Sequence, residues 1–169
     1  MKQNKTRTKR RNLFYLCVIL IGILLDQLSK WLVVTNMTLH QSIPILEDVL
    51  HLTYVHNKGA AFGMLADRRW IFLVISTITI VAVGLYLFLG FCDNLLNGFS
   101  LALIVSGGIG NMIDRTVLGY VVDFVDVTLI NFAIFNVADA FVCVGAALLC
   151  ISLIGETRRE LKENREKSR

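Results

Sequence analysis

The sequence predicts a membrane all-α fold: four transmembrane helices, a small extracytoplasmic β element, and a second short extracytoplasmic loop or helix. Three observations predict it. Of 169 residues, 55% are hydrophobic and 18% charged, against about 25% charged in an ordinary soluble domain. The charges are segregated: six of the 17 Lys and Arg fall in MKQNKTRTKRR at the start and six in RRELKENREKSR at the end. Between these ends lie four apolar segments of spanning length. At about 1.5 Å rise per residue, some 20 residues cross the ~30 Å hydrocarbon core.

The first span is expected at 12–34. It opens like a signal peptide, with a basic region before LFYLCVILIGILL. No A-x-A site follows and the run continues through DQLSKWLVV, so a retained anchor is expected. The second span, 70–92, carries no charge; the third, 94–113, is uncharged until Asp114; the fourth, 131–155, has only Asp139. An even number of spans puts both ends on one side, and both ends are basic. The tails 1–11 and 156–169 are therefore expected in the cytoplasm, with outer elements at 35–69 and 115–130. The whole chain, 1–169, reads as a single integral-membrane domain. Basic ends that fix topology need no nucleic-acid partner.

Within the long outer element, His51, Thr53 and Val55 alternate with Leu52, Tyr54 and His56, which predicts a short strand or two. Asn57, Gly59 and Gly63 supply turn chemistry nearby. The shorter outer stretch GYVVDFVDVTLI is β-rich or a short interfacial helix. The lone proline, Pro44, leaves the spans without proline kinks. Cys17, Cys92, Cys143 and Cys150 lie in or beside apolar runs without CxxC spacing and read as packing residues. His40, His51 and His56 match no metal-ligand spacing, so no metal and no cofactor is expected. Ser29 and Lys30 are sequential and do not face each other on a helix, which argues against a Ser-Lys dyad. No GxSG occurs.

The polar groups inside the apolar runs are few and gather toward the outer ends. Asp26 and Lys30 stand at i and i+4 and can pair. The third span ends in SGGIGNMIDR, whose small residues allow close helix approach before Asn111, Asp114 and Arg115. Asn136 and Asp139, at i and i+3, open the fourth span, placing Asp139 roughly 6–12 Å below the outer interface. Asp123 and Asp126 lie in the connection leading to that same helix end.

Two facing carboxylates in a low-dielectric site share a proton, and such a pair can activate water and protonate a leaving group, as in aspartic peptidases. Three alternatives stand beside this reading. The acids can be structural partners of Lys30 and Arg115. They can be the relay of a small proton-coupled membrane transporter. The chain can also be a lipid-binding scaffold with structural ion pairs.

Five blocks resemble the lipoprotein signal peptidase (signal peptidase II) family: DQLSK at 26–30, NKGAAFG at 57–63, GGIGNMIDR at 107–115, VVDFVD at 121–126 and FNVADA at 135–140. The resemblance spans nearly the whole chain. It implies a bacterial inner-membrane aspartic endopeptidase that cleaves prolipoproteins before a diacylglyceryl-modified cysteine, without a cofactor. It selects Asp123, over Asp126, and Asp139 as the catalytic pair. Asp26, Lys30, Asn57, Gly59, Asn111, Asp114, Arg115 and Asn136 match other motif positions and are expected to line or support the site. Asn57 and Arg115 are expected at the substrate backbone or lipid-modified end. The implied partners are lipidated prolipoprotein signal peptides and membrane lipids, acted on by a monomer.

Overall fold

The computed structural model describes residues 2–59, 69–92 and 94–167. Residues 60–63, the later part of the NKGAAFG block with the turn residue Gly63, lie outside the described residues, as does Asp93 between the second and third spans.

Among the described residues, four α-helices and three strands follow in the order α1 (Lys2–Asn36), β1 (Ser42–Leu46), β2 (Leu50–Asn57), α2 (Arg69–Phe88), α3 (Leu95–Val117), β3 (Val121–Asp126) and α4 (Val137–Lys167). Among the described residues, three helices are long and apolar enough to cross a membrane, in α1, α3 and α4; the apolar stretch of α2, Leu73–Phe88, is shorter. The helices carry their large apolar side chains outward, among them Leu20, Leu24, Trp31, Ile78 and Ile151. Their buried side includes Asp26, Lys30, Ser106, Asn111 and Asp114. That inversion of a soluble protein's pattern suits a hydrocarbon solvent, in which polar groups need partners inside the protein.

The third helix is the centre of the bundle, packing against α1, α2 and α4. Small residues set the close approaches expected of SGGIG. A Cβ on Gly107 would fall on the Ala138 carbonyl oxygen of α4, and one on Gly110 would meet Asp26 Oδ2 of α1 at 2.5 Å. At the opposite end, Asn94 caps α3, its side chain accepting from the backbone of Leu96 at 2.8 Å. The Asn94 and Asn97 amides donate to the Glu156 carboxylate at 2.5 and 3.2 Å, tying the start of α3 to α4.

The strands form one antiparallel sheet in the order β1-β2-β3. The alternation at 51–56 lies in β2, as expected, and the short outer stretch supplies both β3 and a 3-10 turn at Thr128–Ile130. The edge strand β1 carries Pro44, where a missing N–H is tolerated. Val33 of α1 packs with Tyr54, Val122 and Phe124, which seats the sheet on the end of the bundle where α1 finishes. Gly119, at φ 85, ends α3 in the left-handed region and turns the chain into β3. Beyond β3, the Phe135 N–H donates to the Val125 carbonyl at 3.0 Å. That tie holds the connection to the sheet, so α4 starts only at Val137. Asp139 is therefore in the first turn of α4, where a helix starting at 131–135 would have put it one to two turns further along.

Candidate active site

Five elements, α1, β2, α3, β3 and α4, converge at the sheet end of the bundle. Helix α4 begins with a reciprocal cap: the Asp139 N–H donates to Asn136 Oδ1 at 3.0 Å, and the Asn136 N–H donates to Asp139 Oδ2 at 3.3 Å. This is the capping-box arrangement, with an acid at the third helical position. Strand β3 delivers Asp123, which is 1% exposed. Asn57, at the end of β2, donates to Asp123 Oδ2 at 2.8 Å; Asn136 Nδ2 donates to Oδ1 at 2.6 Å. Asn136 thus bridges the two aspartates, touching one through its side-chain amide and the other through its backbone.

Asn111 completes the circuit from α3. Its Nδ2 donates to Asp139 Oδ1 at 2.7 Å, while its Oδ1 accepts from Asn136 at 3.0 Å and from Lys30 Nζ at 3.0 Å. Lys30 pairs with Asp26 at 2.9 Å and with Asp114 at 3.0 Å. The i,i+4 pair read from the sequence is present, and Asp114 joins it across helices. Asp26 further accepts from the Ala138 N–H at 3.0 Å, anchoring α4, and Asp114 accepts from the Val122 N–H at 3.1 Å, anchoring β3.

Gly59 donates through its N–H to Asn57 Oδ1 at 3.0 Å, and its carbonyl accepts from Arg115 Nη2 at 3.5 Å. Asp126 lies on β3 and accepts from Thr53 Oγ1 of β2 at 2.7 Å, away from this circuit. Gln27, not singled out by the sequence reading, donates to Asp26, to the Gly110 carbonyl and to Asp114 at 3.1, 3.3 and 3.0 Å. Its signal was available: a polar residue in an apolar run, beside Asp26.

Asp123 and Asp139 open onto one cavity of about 550 Å³, with Asn57, Asn111 and Arg115 on its polar side. Phe132, Ala133, Ile134 and Phe135 supply part of its apolar wall. Burial pushes the Asp123 carboxyl up to about 6; the Asp139 charge adds to the rise, and the Asn57 and Asn136 hydrogen bonds oppose it. A carboxyl that keeps its proton up to about pH 6, in a cavity shared with a second carboxyl, can serve as a general acid. Among the described residues, no group of three or more His, Cys, Asp or Glu is arranged to hold a metal ion.

A family model described as signal peptidase (SPase) II matches residues 18–155. A lipoprotein signal peptidase of Halalkalibacterium halodurans is 44% identical over 153 residues, covering 89% of this chain and 98% of the relative. One of Bacillus subtilis is 44% identical over 153 residues, covering 89% and 99%. A solved bacterial membrane enzyme, determined in meso at 2.3 Å resolution, superposes with a TM-score of 0.80 at 30% identity, over 85% of this chain and 89% of that one.

Proposed function

The chain belongs to the signal peptidase II family, a family of aspartic peptidases, and we propose from that premise that it removes the signal peptide from diacylglyceryl-modified prolipoproteins, with Asp123 and Asp139 as the catalytic pair. The observation that carries the reading is the cavity on which both carboxylates open, linked to each other by Asn136. A water held between them loses a proton to one aspartate and attacks the scissile carbonyl. The protonated aspartate and the surrounding amides stabilise the oxyanion. The bond cut lies before the lipidated cysteine, and the apolar wall at 132–135 borders its acyl chains.

In this reading the four helices all cross the bacterial cytoplasmic membrane. The start of α1 and the end of α4, both basic, face the cytoplasm, and the cavity lies near the outer face. One chain supplies every group in the circuit, so a monomer suffices. A transmembrane proton relay fits less well. Asp26, Asp114, Asp123 and Asp139 gather at one end, and Glu156, the next acid along α4, is about 25 Å further on at the helical rise.

The test is cleavage of one prolipoprotein with and without its diacylglyceryl group by the purified protein. Cleavage of the lipidated form, before the modified cysteine and at least about tenfold faster, is expected. No cleavage of the lipidated form would overturn the reading.

The raised carboxyl of Asp123 gives a pH prediction. Its proton is held below about 6 and lost above it. If that proton is the catalytic acid, kcat/KM, which reports the free enzyme, falls as pH rises through about 6. The linked effect on stability has the same sign: the contribution of Asp123 is full below its ordinary 3.8 and lost as pH rises through about 6. A pH-rate profile that stays flat from 5 to 8 would contradict Asp123 as the acid.

A further inference from the structure

Lys30 is 3% exposed, and its ammonium has three hydrogens, each with a partner: Asp26 at 2.9 Å, Asp114 at 3.0 Å and Asn111 Oδ1 at 3.0 Å. An ammonium only donates, so Asn111 has to present its carbonyl oxygen to it. The Asn136 amide donates to that same oxygen, so two donors hold one orientation. The NH2 of Asn111 is thereby turned toward Asp139, where it donates at 2.7 Å. Donation to a carboxylate favours its ionised form. Asp139 also sits in the first turn of α4, where the helix dipole favours negative charge. Asp123, on a strand, has no helix terminus behind it.

We infer that Lys30 is a positioning residue: by fixing the Asn111 carboxamide it makes Asp139 the proton acceptor and leaves Asp123 holding the shared proton. The inference rests on the peptidase reading for its chemistry. Asp139 takes a proton from water as the water oxygen bonds to the scissile carbonyl carbon. Asp123 gives its proton to the carbonyl oxygen. On collapse, a hydroxyl of the tetrahedral species returns a proton to Asp123, the C–N bond breaks, and Asp139 passes its proton to the leaving nitrogen. Both carboxyls regain their starting states. The charged groups around Asp139 among the described residues are Asp26 and Lys30 from α1, Asp114 and Arg115 from α3, and Asp123 from β3; Asn57, from β2, is neutral.

The experiment combines the pH profile of kcat for a lipidated prolipoprotein with carbon-13 NMR titration of the Asp123 and Asp139 carboxyls in detergent, which needs no turnover. In the wild type, Asp123 is expected to be the carboxyl that keeps its proton to the higher pH. Asn111→Ala should move the acid limb up by about one pH unit. Asn111→Asp keeps a partner for Lys30 but sets an acceptor against Asp139, and should move the limb further. Lys30→Met with Asp114→Asn removes one charge of each sign. It should reproduce the Asn111→Ala shift and add nothing to it in combination. A purely structural role would lower the melting temperature and leave the limb in place.

Asp123 ionising first in the wild type would overturn the assignment. So would folded Asn111 variants with the limb unmoved, or additive shifts from Lys30 and Asn111. If the Lys30 double variant fails to fold, Asn111→Asp decides, because it leaves the Lys30 ion pairs intact. A chain that titrates in this order but cleaves no prolipoprotein would refute the proposed function and leave the assignment standing.

Discussion

Replacing Asp139 or Asp123 with asparagine is expected to lower kcat for prolipoprotein cleavage by about a thousandfold or more, with the fold retained. A positioned acid or base contributes about 10²–10⁴ in rate. Each aspartate here would act in both halves of the reaction, so losing one disables the other. The double variant should then be no slower than the worse single one, because groups that work as a unit are not additive. Asparagine matches aspartate in shape, and in Asp139→Asn the remaining side-chain oxygen can still accept from Asn111. Melting temperature in detergent should therefore move little in Asp139→Asn; in Asp123→Asn the new NH2 faces the Asn57 or Asn136 donor, so a modest fall is expected beside the much larger loss of activity. Near-normal turnover in either single variant would remove that residue from the mechanism. A large fall in melting temperature would instead make it structural.

Much of this site was legible in the sequence because a membrane makes polar residues conspicuous. In apolar runs, Asp26, Lys30, Asn111, Asp114, Asn136 and Asp139 stand out by the cost of burying them. The structure brings all six into one hydrogen-bonded circuit with Asp123. What the sequence did not reveal depends on partners far along the chain. Asp114 was expected to support the site, but its pairing with Lys30 across helices has no signal in local spacing. Strand β1, read only as part of a connection, is short and carries a proline; its pairing is set by the register of β2. Apolarity alone started the last helix too early. The Phe135 pairing with Val125 holds that segment to the sheet, and hydropathy carries no signal for such a bond.

The packing that holds the circuit makes a second strong prediction at a residue with no chemistry of its own. Gly107 lies one helical turn before Asn111 on α3, facing the first turns of α4. A Cβ there would fall on the Ala138 carbonyl oxygen, 2.8 Å from Val142 Cγ2 and 3.1 Å from the Ala138 carbonyl carbon. Two of those three atoms are backbone and cannot rotate away, so Gly107→Ala can be accommodated only by separating α3 from α4. Overpacking of this kind costs about 1–3 kcal/mol. The same separation stretches the 2.7 Å bond from Asn111 to Asp139. A displacement near 1 Å at reacting groups can cost about a hundredfold in rate. Gly107→Ala is therefore expected to lower both the melting temperature and kcat. Gly84→Ala and Gly155→Ala are the controls, since a Cβ at either position meets nothing within 4 Å. In those helix interiors alanine is favoured over glycine by about 1 kcal/mol, so the same substitution should leave stability level or raise it. Thermal unfolding in detergent and the cleavage rate, measured on all three variants, separate the outcomes. If Gly107→Ala behaved like its controls, the close contact between α3 and α4 would not be what holds Asn111 against Asp139.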